Sequence, residues 1–139
     1  RQVMNLGKRY GVKVLIENVG LRTKNNVLFD LPEYIALFDI FPQAGALLDT
    51  GHAHVNGWDI PAVVKALGER LAACHVHDND GSGDAHLPVG QGDIDWKAYF
   101  GAVKKYAPQA TQVFEYCCGF NNTKDLEAHI AELKADYKL

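Results

Sequence analysis

No run of 18 apolar residues occurs anywhere in the sequence, so nothing in it has the length of a membrane-spanning helix. No secretory signal peptide is visible either, and the chain is expected to be soluble. Lysine and arginine never form a run, and the net charge is only −3. That balance argues against nucleic acid or an anionic membrane as the main partner. Cysteine is sparse and odd in number (Cys74, Cys117 and Cys118, two of them adjacent), so no disulfide framework is indicated. A reducing cytoplasm is the expected location. No linker, internal repeat or low-complexity tract divides the 139 residues. With 47% hydrophobic and 22% charged residues, the chain has the composition of one globular domain with a real core.

What the sequence does concentrate is histidine. Five of its six histidines (His52, His54, His75, His77 and His86) fall within 35 residues. The stretch HVHDNDGSGDAHLPVGQGDIDW (75–96) adds five aspartates in a glycine-rich setting. Such a cluster points either to a metal nearby or to a solvated polar loop.

The hydrophobic pattern alternates between two periods. Val3, Leu6 and Tyr10 make the stripe of an opening helix, which Gly11 stops in the position after its end. No start signal precedes that helix, so the N-terminus is expected to be cut. VKVLIEN (12–18) is a short, nearly continuous apolar run, as expected of a strand buried on both faces. Leu31, Tyr34, Ile35 and Phe38 then follow at helical spacing, with Pro32 early in the helix and Pro42 closing it. Three more such units succeed it: a strand at 44–51 with a helix through Ile60, Val63, Val64 and Leu67; a strand at 71–78 with a helix through Trp96, Tyr99, Phe100, Val103 and Tyr106; and a strand at 111–117 with a helix through Leu126, Ile130, Leu133 and Tyr137. A helix followed by four βα units argues a parallel sheet, either open and doubly wound or part of a (β/α)8 barrel.

Each strand finishes on a residue of metal-binding type. The first ends at Glu17, the second at Asp49, the third at His75 or His77, and the fourth at Glu115. Functional groups of a (β/α)8 barrel converge from the C-terminal ends of its strands. Three carboxylates gathered there would repel by about 4 kcal/mol per close pair at an effective dielectric of 20. A divalent cation removes that penalty, and three oxygens with one nitrogen suit Mn²⁺, Mg²⁺, Co²⁺ or Zn²⁺. One acid at a strand end is ordinarily a cap or turn residue. Four in succession at the same end favour the metal.

The segments LIEN (15–18), LLDTGHAH (47–54), the 75–96 block and VFEY (113–116) together resemble the C-terminal half of the xylose-isomerase-like barrel superfamily. That superfamily holds sugar and sugar-phosphate isomerases and epimerases, and the apurinic endonucleases. The resemblance implies a metal site on Glu17, Asp49, His75 and Glu115, with Glu17 and Glu115 as the proton-transferring pair. It implies a substrate or second-metal role for His52, and a further metal pair in Asp84 and His86, so that a second or third metal is possible. The implied activity is isomerisation or epimerisation of a small sugar or sugar phosphate through a metal-stabilised enediolate. The rival it carries is a metal-dependent phosphodiesterase of the endonuclease type, which needs two further histidines on earlier strands and a basic face. A non-catalytic fragment of either is the other alternative.

The resemblance also implies a shape. Residues 1–139 would supply strands five to eight of a barrel that takes about 250 residues when closed. The expectation is an open four-stranded parallel sheet with helices on its outer side only, its inner face (Leu15, Leu47, Val113) and both edges open. Such a chain should be sticky, pairing with a second copy or with the missing half barrel. Gly81, Gly83, Gly90 and Gly92 are expected to let the 75–96 loop fold over the pocket mouth. His54 is expected to meet solvent or a backbone group, His129 and Trp58 to pack, and Arg22 and Lys24 to lie in a solvated loop. The aspartates of DNDGSGD do not keep the spacing of an EF-hand calcium loop, and no histidine is spaced to activate Cys117 or Cys118 as a nucleophile.

Overall fold

In the computed structural model, which describes residues 1–138, the chain begins with helix α1 (Gln2–Tyr10), strand β1 (Leu15–Glu17) and helix α2 (Leu31–Ile40). Strand β2 (Gly45–Asp49) leads into helices α3 (Thr50–Val55) and α4 (Ile60–Leu67). Strand β3 (Leu71–Val76), helix α5 (Trp96–Tyr106), strand β4 (Thr111–Phe114) and helix α6 (Thr123–Tyr137) complete it. Side-chain caps fix the helix starts. Asp30 and Glu33 form a reciprocal capping box on α2, while Asp59, Asp95 and Asn122 accept N–H groups of α4, α5 and α6.

The four strands pair in sequence order, β1-β2-β3-β4, all parallel. This is the expected α/β arrangement of successive βα units. Alternation along each strand separates two faces. Ile16, Ala46, Leu48, Cys74 and Val76 meet the helices in a core with Tyr34, Phe38, Val64 and Tyr99. The Tyr34 hydroxyl, buried beneath the sheet, lies 2.7 Å from the Leu47 carbonyl and 3.1 Å from that of Ile16, so its one proton ties α2 to the sheet where two strands meet. The other face carries Leu15, Leu47, His75 and Val113. Val113 is 43% exposed, as an open inner face requires. Leu15 and Leu47 are half-buried, Leu15 because it leans over the vacant side-chain position of Gly45.

Three local expectations are corrected. The first strand does not begin at Val12, because the Val12 N–H closes onto the Gly7 carbonyl in the turn that ends α1. The second strand stops at Asp49, whose carboxylate caps α3 by accepting the His52 N–H. The stripe of α1 faces outward: Val3, Leu6 and Tyr10 are 61%, 51% and 69% exposed, whereas Met4 and Gly7 face the fold. At Gly7 a side chain would strike the Val12 carbonyl and Val14, so the absence of one lets helix and strand approach. Among the described residues no helix is long and apolar enough to cross a membrane.

Candidate metal centre

The parallel register puts the polar strand ends side by side, with Asp49 opposite His75 and His75 opposite Val113. The Glu115 N–H still bonds the Val76 carbonyl, which carries Glu115 one step beyond β4 on the same side. Around the Nδ1 atom of His75 lie Glu17 Oε1 at 3.3 Å, Glu115 Oε2 at 3.2 Å and Asp49 Oδ2 at 3.9 Å. Glu17, Asp49 and His75 offer ligand atoms within 4.8 Å of one another, as do Asp49, His77 and Glu115. The four residues expected at the strand ends therefore meet at one end of the sheet.

Asp49 is the buried anchor of this group. Its Oδ1 accepts the His52 N–H at 2.7 Å, and its Oδ2 accepts from His77 Nε2 at 3.1 Å. Burial by itself would raise this carboxyl. The hydrogen bond and charge of His77, followed by the charge of His52, outweigh it and hold Asp49 below the usual carboxylate range. Asn18 fixes the backbone beneath: its side chain donates to the Asp49 carbonyl and accepts the Asp49 N–H. Thr50 performs the same service for β3, its hydroxyl lying 3.1 and 3.0 Å from the carbonyls of His75 and His77.

A second cluster adjoins the first. His52 bonds the Asn18 carbonyl through Nδ1, His86 bonds the Glu115 carbonyl through Nδ1, and His77 bonds Asp49 through Nε2. In each neutral ring the opposite nitrogen is then left with a lone pair. All three of these nitrogens turn toward Asp84: His52 Nε2 and His86 Nε2 stand 3.3 Å from its Oδ2, and His77 Nδ1 stands 3.8 Å from its Oδ1. His77 Nδ1 and Asp84 Oδ1 are buried with no hydrogen-bond partner among the described residues. Acceptors crowded on a carboxylate require protons or a cation between them. The donor chemistry of both clusters, carboxylate oxygen with imidazole nitrogen, fits a divalent cation.

Sequence reasoning left His75 and His77 as alternatives, and the structure uses both. His75 sits in the open cluster, while His77 is fully buried, stacked on His86 with ring centroids 3.9 Å apart. Asn18, Thr50 and Asp78 were missed. The signal for the first two was adjacency, since each follows a metal-type residue directly. Asp78 is buried and accepts the Asn79, Gly90 and Ile94 N–H groups and the Trp96 indole N–H. Gly90 donates its N–H to Asp78, and Gly92 passes so close to Asp78 and Asn79 that a side chain there would strike them. His54 meets neither solvent alone nor backbone: its Nε2 pairs with Asp93 at 2.9 Å. His129 packs between Tyr116 and Phe120, Trp58 packs on Tyr34, and Arg22 and Lys24 lie exposed in a short 3-10 turn.

The same architecture occurs in known proteins. A solved D-tagatose 3-epimerase-like protein matches with a TM-score of 0.76 and 25% identity, over 98% of this chain and 50% of that one. D-Allulose 3-epimerase from Methylomonas sp. matches with a TM-score of 0.78 over 98% of this chain and 52% of that one; at 18% identity the likeness is one of fold. An uncharacterized protein of Methanocaldococcus jannaschii is 31% identical over 104 residues, 73% of this chain and 38% of that protein. The chain thus spans about half the length of these solved structures and less of the curated relative. The model of the xylose isomerase-like TIM barrel matches residues 1–135, covering all four strands and all but the last residues of α6. The chain belongs to the xylose isomerase-like TIM-barrel family.

Proposed function

We propose that the complete protein is a divalent-metal-dependent isomerase or epimerase of a small sugar or sugar phosphate, working in a reducing cytoplasm. The observation that carries this reading is the pair of carboxylates, Glu17 and Glu115, which come from strands on either side of β3 and stand within 3.3 Å of His75 Nδ1. Glu17, Asp49, His75 and Glu115 would hold one cation, Mn²⁺, Mg²⁺, Co²⁺ or Zn²⁺. When bound, it would supply Lewis-acid polarisation of the substrate carbonyl and adjacent hydroxyl. One glutamate removes the proton from the carbon next to the carbonyl, leaving an enediolate. The other glutamate returns a proton from the opposite face, which inverts the carbon; return at the neighbouring carbon isomerises it. His52, fixed through Nδ1 to the Asn18 carbonyl, orients a substrate hydroxyl by accepting its proton at the other nitrogen, or protonates a substrate oxygen when the ring is in its imidazolium form. A D-tagatose 3-epimerase-like protein and a D-allulose 3-epimerase share this fold, which supports sugar epimerisation as the reaction class.

A second reading, metal-dependent phosphodiester hydrolysis, draws on one observation: three imidazole nitrogens turned to Asp84, a cluster suited to a further cation. The net charge of −3 and the lack of a basic run disfavour a nucleic-acid substrate.

One experiment separates the readings. The complete protein, loaded with manganese, is incubated in deuterium oxide with ketoses and ketose phosphates, and deuterium beside the carbonyl is followed by NMR. Exchange is expected, with a loss of roughly 100-fold or more in Glu115→Gln, the scale of a missing acid–base group. Bound metal should fall with it while circular dichroism holds. Unchanged exchange and metal content in that variant would refute the assignment. Asp84→Asn is expected to keep the exchange; loss of a second metal equivalent together with phosphodiesterase turnover would favour the alternative.

A further inference from the structure

Cys117 and Cys118 take no part in the proposed chemistry, yet they stand where the two halves of the site are joined. The Cys117 N–H donates to the His86 carbonyl at 3.1 Å, and its thiol donates to the Ala85 carbonyl at 3.2 Å. These bonds hold the segment carrying Asp84 and His86 against the chain that has just delivered Glu115. Cys118 follows directly in the chain, so the two thiols are carried by adjacent residues. Both cysteines are exposed and line a cleft of about 600 Å³ together with Tyr116, Phe120 and Leu126. The backbone bends through 117–119, with Gly119 at a φ of 95°. A side chain at Gly119 would stand 2.5 Å from Pro88 Cγ, so the bend is seated against the same loop. Cys74, by contrast, is sealed in the core.

We propose that Cys117 and Cys118 form a redox-active vicinal thiol pair whose closure to a disulfide releases the loop carrying Asp84 and His86 from the end of β4. The oxidant is a small-molecule disulfide or a peroxide. With a disulfide, one cysteine thiolate attacks it and expels one thiol. The neighbouring cysteine then attacks the mixed disulfide and expels the second, so the pair loses two protons and two electrons and the oxidant becomes two thiols. With a peroxide, the first cysteine becomes a sulfenic acid with loss of water or alcohol, and the second condenses on it with loss of water. An exposed thiol beside a resolving cysteine is the arrangement this chemistry uses. Closure removes the proton that Cys117 donates to Ala85. Adjacent Cα atoms are held about 3.8 Å apart, short of the ~5.5 Å that disulfides usually span, so the closed ring is strained and loads the backbone that bonds His86.

The test needs no substrate. The folded protein is treated with oxidised glutathione, blocked with iodoacetamide, digested and weighed. The expected product is a peptide holding Cys117 and Cys118 that has lost two hydrogens and carries neither glutathione nor alkyl group. Cys118→Ser should instead trap glutathione on Cys117. Amide NMR signals of Ala85, His86 and Glu115 should shift on oxidation and return with dithiothreitol. Two independently alkylated or glutathionylated cysteines, or disulfides only between molecules, would overturn the pair. A closed disulfide without those amide shifts would overturn its link to the loop. Both readouts stand whether or not the sugar chemistry proposed above is right.

Discussion

Asp78 illustrates how little of a site is its ligands. Its carboxylate has no exposure and satisfies four donors between 2.7 and 3.3 Å, three of them supplied by residues 90 to 96. Removing it leaves those donors without a partner in a closed space, at about 1–3 kcal/mol for each that stays dry. Asp78→Ala is therefore expected to lose several kcal/mol of stability, read as a large fall in the urea midpoint; a midpoint within error of the parent would refute the clamp. The sequence exposed the candidate ligands and hid the clamp for a physical reason. Glu17, Asp49 and Glu115 follow apolar strands, where a charge is conspicuous. Asp78 lies in a loop already crowded with aspartates, where only the fold tells a buried acceptor from a solvated one. Likewise the alternation of His75 and His77 could not show that one would stay open and the other be sealed beneath His86.

At the scale of elements, the junction between β2 and α3 sets the site's tolerance. Gly51, in the first turn of α3, lies so close to the imidazole of His77 that an added Cβ would overlap the ring. It also gives its carbonyl to Asn79. Gly51→Ala should push His77 off Asp49, at a cost of about 1–3 kcal/mol for overpacking, and weaken metal binding. Thermal melting together with a manganese titration checks this; a variant matching the parent in both would show that the ring has room to move. The long helices were legible, because their apolar periodicity is local. The short α3 was not, since Asp49 serves both as strand end and as helix cap. Nor was the late start of β1, because the Val12 N–H closes onto Gly7 in a turn that apolar patterning reads as strand.

The molecule as a whole leaves much of its pairing capacity unused. β1 and β4 each have a strand on one side only among the described residues, and Val113 and the α1 stripe are open to water. Unpaired parallel edges recruit other strands. The 139-residue chain studied alone is expected to self-associate, with a sedimentation coefficient that rises with concentration; a concentration-independent monomer would count against open edges. The four strand ends that build the site are each hydrogen-bonded to their sequence neighbour, so its assembly depends on adjacent βα units alone. The bond from Trp96 to Asp78 has an optical consequence. An indole paired with a buried carboxylate emits differently from one released into water. The other tryptophan, Trp58, rests on Tyr34 beside α2. With Trp58 replaced by phenylalanine, the fluorescence of a single ring would report, in real time and without any label, whether the loop that carries Asp84 and His86 is fastened.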